Sequence, residues 1–114
     1  MSFRIAKINE LIRQELSKII QEEIRTEDQA PIICVQEVQT ADDLKTAKVW
    51  VSIFGQEITQ KEKDNFLHRF QKQAFNFQKQ LGRKLDLKFI PKLVFKLDIS
   101  GEVQQKIDKL LEEQ

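Results

Sequence analysis

Between residues 3 and 24, Ile5, Ile8, Ile12, Leu16 and Ile19 recur at intervals of three and four, with Leu11, Ile20 and Ile24 widening the stripe. That period predicts an amphipathic helix with Ser2 as its N-cap. Pro31 closes an acidic linker, and the β-branched run Ile32–Val38 predicts a strand. Residues 40–45 form a polar connection, after which Ala47, Val49, Val51 and Ile53 alternate with Lys48, Trp50, Ser52 and Phe54 up to Gly55. Two strands joined so closely predict an antiparallel hairpin.

Thr59-Gln60-Lys61-Glu62 has the spacing of a capping box. It opens one long helix, or two, whose apolar stripe is Phe66, Phe70, Ala74, Phe77, Leu81 and Leu85. Phe75 is out of phase with that stripe. Either a bend near Asn76 turns it inward or it stands exposed. Leu87, Phe89, Leu93, Phe95 and Leu97 then alternate with Lys88, Lys92 and Lys96 in a third strand, where Pro91 demands an edge or a bulge. Ser100 caps a short last helix over 101–113, and residues 112–114 are expected to fray. The pattern predicts one α+β domain over 1–114, its helices packed on a three-stranded sheet.

At 114 residues with 40% hydrophobic and 32% charged residues, the chain has the balance of a folded soluble domain. Its N-terminal stretch lacks an apolar signal core, and no apolar run reaches the length of a membrane span, so a cytoplasmic location is expected. Chemistry finds few converging groups. Cys34 is the single cysteine and His68 the single histidine, and the three glycines are isolated. Cys34 reads as a small buried hydrophobe and His68 as a surface residue. Asp42 and Asp43 read as turn carboxylates. No catalytic residue, metal site, cofactor or small-molecule substrate is expected.

Charge changes the picture. The net charge is only +1, yet residues 59–92 carry nine Lys/Arg against three Asp/Glu, and residues 22–58 carry three against eight. A basic block in a near-neutral chain can present a positive face to a polyanion. Cations at a helix C-terminus also favour the macrodipole, which accounts for one or two of Lys79, Arg83 and Lys84 but not for Lys88 and Lys92 beyond them. Candidate phosphate contacts are therefore Lys79, Arg83, Lys84, Lys88 and Lys92, with Arg4, Lys7 and Arg13 of the first helix. Lys45 and Lys48 are second-rank. Trp50 and Phe54 share a strand face with Lys48, a face that either packs into the core or stacks on bases.

Three fragments carry a resemblance. Ala41-Asp42-Asp43-Leu44-Lys45-Thr46-Ala47-Lys48-Val49-Trp50-Val51-Ser52 is similar to the "Asp-Leu … Ala-Lys-Val-aromatic-Val" segment of the ribosome-binding factor A family. The run Leu81-Gly82-Arg83-Lys84 through Pro91-Lys92-Leu93-Val94-Phe95 resembles that family's "Leu-Gly-basic … Pro-x-Leu-x-Phe", and Lys7–Leu16 resembles its first helix. The resemblance spans nearly the whole chain. It implies a type II KH-like fold (αββααβ), here with an extra C-terminal helix. It also implies a monomer that binds the immature small ribosomal subunit and its precursor rRNA near the decoding region, aiding 5′-end processing and cold adaptation. Members lack the Gly-x-x-Gly loop of ordinary KH domains, as this chain does, and bend the long helix at an Ala-x-Gly motif. Ala74-Phe75-Asn76 stands at that place here, without glycine. The residues alone leave open a generic KH-like RNA binder, or a protein-interaction module using the long helix and Phe75.

Overall fold

The stripe at 5–24 becomes a helix over Phe3–Ile24 (α1) in a computed structural model that describes residues 3–99. The expected Ser2 cap, the 101–113 helix and the frayed tail lie outside the described residues. Ile12, Leu16, Ile20 and Ile24 are fully buried, whereas Leu11, at the rim of the stripe, is exposed. The hairpin forms from Ile32–Thr40 (β1) and Thr46–Phe54 (β2), antiparallel, with Thr40 paired to Ala47 and Ile32 to Phe54. A bulge between Val35 and Glu37 moves the buried phase of β1 from Val35 to Val38, a shift that simple alternation did not predict. In the turn, Ala41 N–H donates to the Thr46 carbonyl at 2.9 Å, and Lys45 N–H donates to the Asp43 carboxylate at 3.0 Å.

Thr59 caps the next helix, Gln60–Lys72 (α2). Its hydroxyl accepts from Glu62 N–H at 3.1 Å and donates to the Glu62 carboxylate at 3.1 Å. A second helix, Ala74–Leu85 (α3), follows after a single break residue, Gln73. The long helix is thus two helices, parted one residue before the predicted Ala74-Phe75-Asn76, which instead form the first turn of α3. Gln73 sits at φ −94°, ψ 5°, a bridge conformation open to ordinary residues. Its N–H is shared between the Arg69 and Phe70 carbonyls at 3.2 and 3.1 Å. No left-handed residue is required there, which is why the chain bends without glycine. Phe75 stays 68% exposed, so the bend does not turn it inward.

The third strand is Lys92–Leu97 (β3), shorter than the expected Leu87–Leu97. Pro91 has no N–H to give a ladder, so the strand begins just after it and residues 87–91 are loop. The expected alternation therefore does not hold before Pro91, and Phe89, predicted to share the apolar side, is 90% exposed. β3 runs parallel to β2, giving the sheet order β1-β2-β3 with β2 central. The outer edge of β3 is sealed by side chains. Gln71 donates to the Leu93 carbonyl at 3.0 Å and accepts from Phe95 N–H at 2.9 Å, standing in for a fourth strand.

The helices cover one face of the sheet, α1 against β1 and α3, and α2 and α3 against β3. Between them lies a phenylalanine cluster: Phe70 has its ring centre 6.1 Å from Phe66, 6.4 Å from Phe77 and 6.0 Å from Phe95. Among the described residues no helix covers the opposite face, along which lie Lys48, half-buried Trp50, exposed Phe54, Lys92 and Lys96. Cys34, expected to be buried, alternates out of the core to this face and is half-buried.

Candidate nucleic-acid interface

Register and contacts bring most of the predicted cations to one end of the sheet. Thr46, just after the hairpin turn, pairs with Lys92, and Lys92 N–H donates to the Lys45 carbonyl at 2.9 Å. The start of β3 and the hairpin turn therefore lie side by side, and the 86–91 loop and the C-terminal turn of α3 lead directly into them. α1 enters from the same end, because buried Asn9 accepts from Thr40 N–H at 3.2 Å. Arg4 and Lys7, upstream of Asn9, thus join Lys45, Arg83, Lys84, Lys88 and Lys92, all exposed. Arg83, Lys84, Lys88 and Lys92 pair with no carboxylate among the described residues.

The α3 end is shaped by its own stop. Asp86 adopts a left-handed φ of 51°, and Leu87 N–H donates back to the Gly82 carbonyl at 3.1 Å. This is the Schellman closure, with aspartate in the place glycine usually takes. It throws the chain across the helix end, so residues 86–90 face Phe75, Lys79, Gly82 and Arg83 over a groove of about 640 Å³. Lys84, one residue on from Arg83, projects outside that groove.

Other candidates are placed differently. Arg13 sits mid-helix in an ion pair with Glu10, its Nε donating to Glu10 at 2.9 Å, and reaches the Val35 carbonyl at 3.5 Å. The Arg13 hydrogen bond pulls the Glu10 carboxyl down to about 2. Lys48 lies two residues into the sheet face away from the helices, beside Val94 across the β2–β3 pairing, and Trp50 is opposite Lys96 there. Lys96 was not singled out among the candidates, and only the parallel register reveals it as a neighbour of Trp50. Arg69, part of the basic block in sequence, is neutralised by Glu27 through bonds of 2.7 and 2.9 Å. Glu27 belongs to a second groove at the far end of the sheet, with Asp28, Glu57 and Glu62. The later part of the basic block, from Lys79 to Lys92, thus lies at the hairpin end of the sheet, whereas α2 carries its first cations beside the acidic groove at the other end. Asp42, Asp43 and Asp86 stand at the basic end as well, so it is cationic in excess rather than throughout.

Among the described residues no cluster of three His, Cys, Asp or Glu side chains converges as a metal site, and no helix is long and apolar enough to cross a membrane. His68 is exposed on α2, whereas Cys34 faces the other side of the sheet, so the two do not meet.

Helix, hairpin, broken helical pair and parallel third strand define an α+β domain of the type II KH-like class. The sequence profile described as "Ribosome-binding factor A" matches residues 4–111. A ribosome-binding factor A of Acetivibrio thermocellus is 37% identical over 110 residues, covering 96% of this chain and 87% of that one. The chain belongs to the ribosome-binding factor A family. The crystal structure of the Thermus thermophilus member superposes with a TM-score of 0.64 at 20% identity, over 82% of this chain and 94% of that one. A homology model of the same organism's factor, as fitted into the cryo-EM map of a 30S complex with that factor, gives 0.56 at 19% identity, over 78% and 93%.

Proposed function

We propose that this chain is a ribosome assembly factor that docks its hairpin end on the immature small ribosomal subunit. Exposed lysines and arginines there neutralise rRNA phosphates, and the meeting of Arg83 and Lys88 across one groove, with Lys92 held by strand register beside the Lys45 turn, is the observation that carries this reading. Membership of a family named for ribosome binding supports the partner, as does a Thermus relative placed on the 30S subunit. Phosphate contacts position a protein without reading sequence, so shape and the surrounding particle supply selectivity.

In this reading the protein acts as a cytoplasmic monomer, one domain over the whole chain, needing no cofactor and performing no catalytic step. It assists late maturation and 5′-end processing of the small-subunit rRNA, a step most exposed when RNA refolds slowly in the cold. The test is to purify the tagged protein with its bound particles and sequence the RNA ends. Enrichment of small-subunit precursor with unprocessed 5′ ends is the expected result. Recovery of other RNAs without that precursor would leave a generic KH-like RNA binder in its place.

A further inference from the structure

The groove between α3 and the 86–90 loop carries more than charge. Phe75, Lys79, Gly82 and Arg83 share one helix face at intervals of four, three and one. The loop side brings Lys88 and Phe89. Phe75 is 68% and Phe89 90% exposed, while Phe70, Phe77 and Phe95 fill the core a short way off. Single exposed hydrophobics need no explanation. Two phenylalanines lining one open groove, with three cations between and around them, are a different arrangement. The Lys79 ammonium lies 4.7 Å from the Phe75 ring centre, steadying that ring while leaving most of it accessible.

We infer that this groove is a stacking site for an unpaired nucleotide of single-stranded RNA. Its base lies against Phe75 and Phe89, and its flanking phosphates are met by Lys79, Arg83 and Lys88. The chemistry needed is an aromatic face beside a cationic track, which binds any base because every base has a π-face. Gly82 lies between the helix-borne cations, where the loop packs so closely that a Cβ would stand 3.5 Å from the Leu87 carbonyl oxygen. A hydrophobic protein anchor would gain nothing from three cations, so RNA is the better fit. The inference rests on the RNA-facing reading above and adds a base contact to its phosphate contacts.

The test measures binding of the full chain to a labelled, unstructured eight-nucleotide RNA at low salt. Phe75→Ala and Phe89→Ala should each weaken binding about tenfold, the size of one lost base stack. Phe75→Tyr should restore it. An oligonucleotide of equal charge with abasic positions should bind the wild type more weakly and no longer distinguish Phe75→Ala. Both rings are exposed, so unfolding midpoints of the variants should match the wild type. If the alanine variants bind as the wild type does while Arg83→Glu with Lys84→Glu weakens binding, stacking is overturned and the phosphate-binding face stands. If none of these variants changes binding, the face itself is overturned as well. If Phe75→Ala weakens binding to whole subunits, insensitively to salt, yet leaves oligonucleotide binding intact, the groove holds a protein neighbour and stacking is again overturned.

Discussion

Asn9 and Thr40, thirty-one positions apart, are joined by two hydrogen bonds to one atom: the Asn9 amide oxygen accepts both the backbone N–H and the hydroxyl of Thr40. Both residues are buried. This polar clasp fixes the first turns of α1 to the hairpin end, and so brings Arg4 and Lys7 to the end of the sheet that carries Lys45. Asn9→Ala removes the acceptor and leaves the Thr40 N–H in the interior. A loss of about 1–3 kcal/mol in urea unfolding is expected, together with faster amide exchange at Thr40.

Gln71 makes a second such clasp, on the free edge of β3. Gln71→Ala would strip partners from the Leu93 carbonyl and the Phe95 N–H. It should cost about 1–3 kcal/mol and leave an unprotected strand edge that favours self-association, checked by unfolding and by light scattering. Gln71→Glu keeps the acceptor for Phe95 but loses the donor to Leu93, and should fall between the two.

The Glu27–Arg69 bridge predicts a pH signature. The Arg69 guanidinium hydrogen-bonded to Glu27 holds its carboxyl below the ordinary 4.5, against a smaller opposing effect of burial. A carboxyl depressed in the folded state stabilises the protein above its unfolded value, and that stabilisation is lost as pH falls through the folded value. Both side chains are more than a third exposed, so the pair is worth about 0.5–1 kcal/mol. Glu27→Gln should therefore lower stability by that amount at pH 7. The difference should shrink once pH drops below 4.5 and vanish in stronger acid.

The helix break supplies a backbone test. Asn76 lies inside α3, not at the bend, so Asn76→Ala should leave stability unchanged or raise it by up to about 0.7 kcal/mol, the helix propensity gained. A bend built on a left-handed Asn76 would instead lose about 1–2 kcal/mol with alanine. Thermal unfolding of the single variant decides between them.

These residues show which parts of the molecule a sequence reveals. Ile12, Leu16 and Ile20 announce α1 because helical period and burial coincide there. Val49 and Val51 announce β2 in the same way, and Thr59 with Glu62 marks the start of α2 through local hydrogen bonds alone. The break at Gln73 is silent because its negative-φ bridge conformation calls for no glycine or other marker residue. The partners of Gln71 and Asn9 are silent because they lie 22 or more positions away in the chain. For the candidate interface, the basic block was visible as composition. Its separation from Arg69 depended on Glu27, and its union with Lys45 depended on the parallel register of β3. Phe89 carried a readable signal that the alternation masked: Pro91 ends any ladder before it.

The most direct measurement for the whole account is the affinity of the protein for purified immature small subunits across a salt series. The account predicts that log affinity falls linearly with log salt, and that Arg83→Glu with Lys84→Glu weakens binding and flattens the slope by about 2 while the fold is unchanged. Equal affinity and an equal slope for the wild type and the double variant would contradict it.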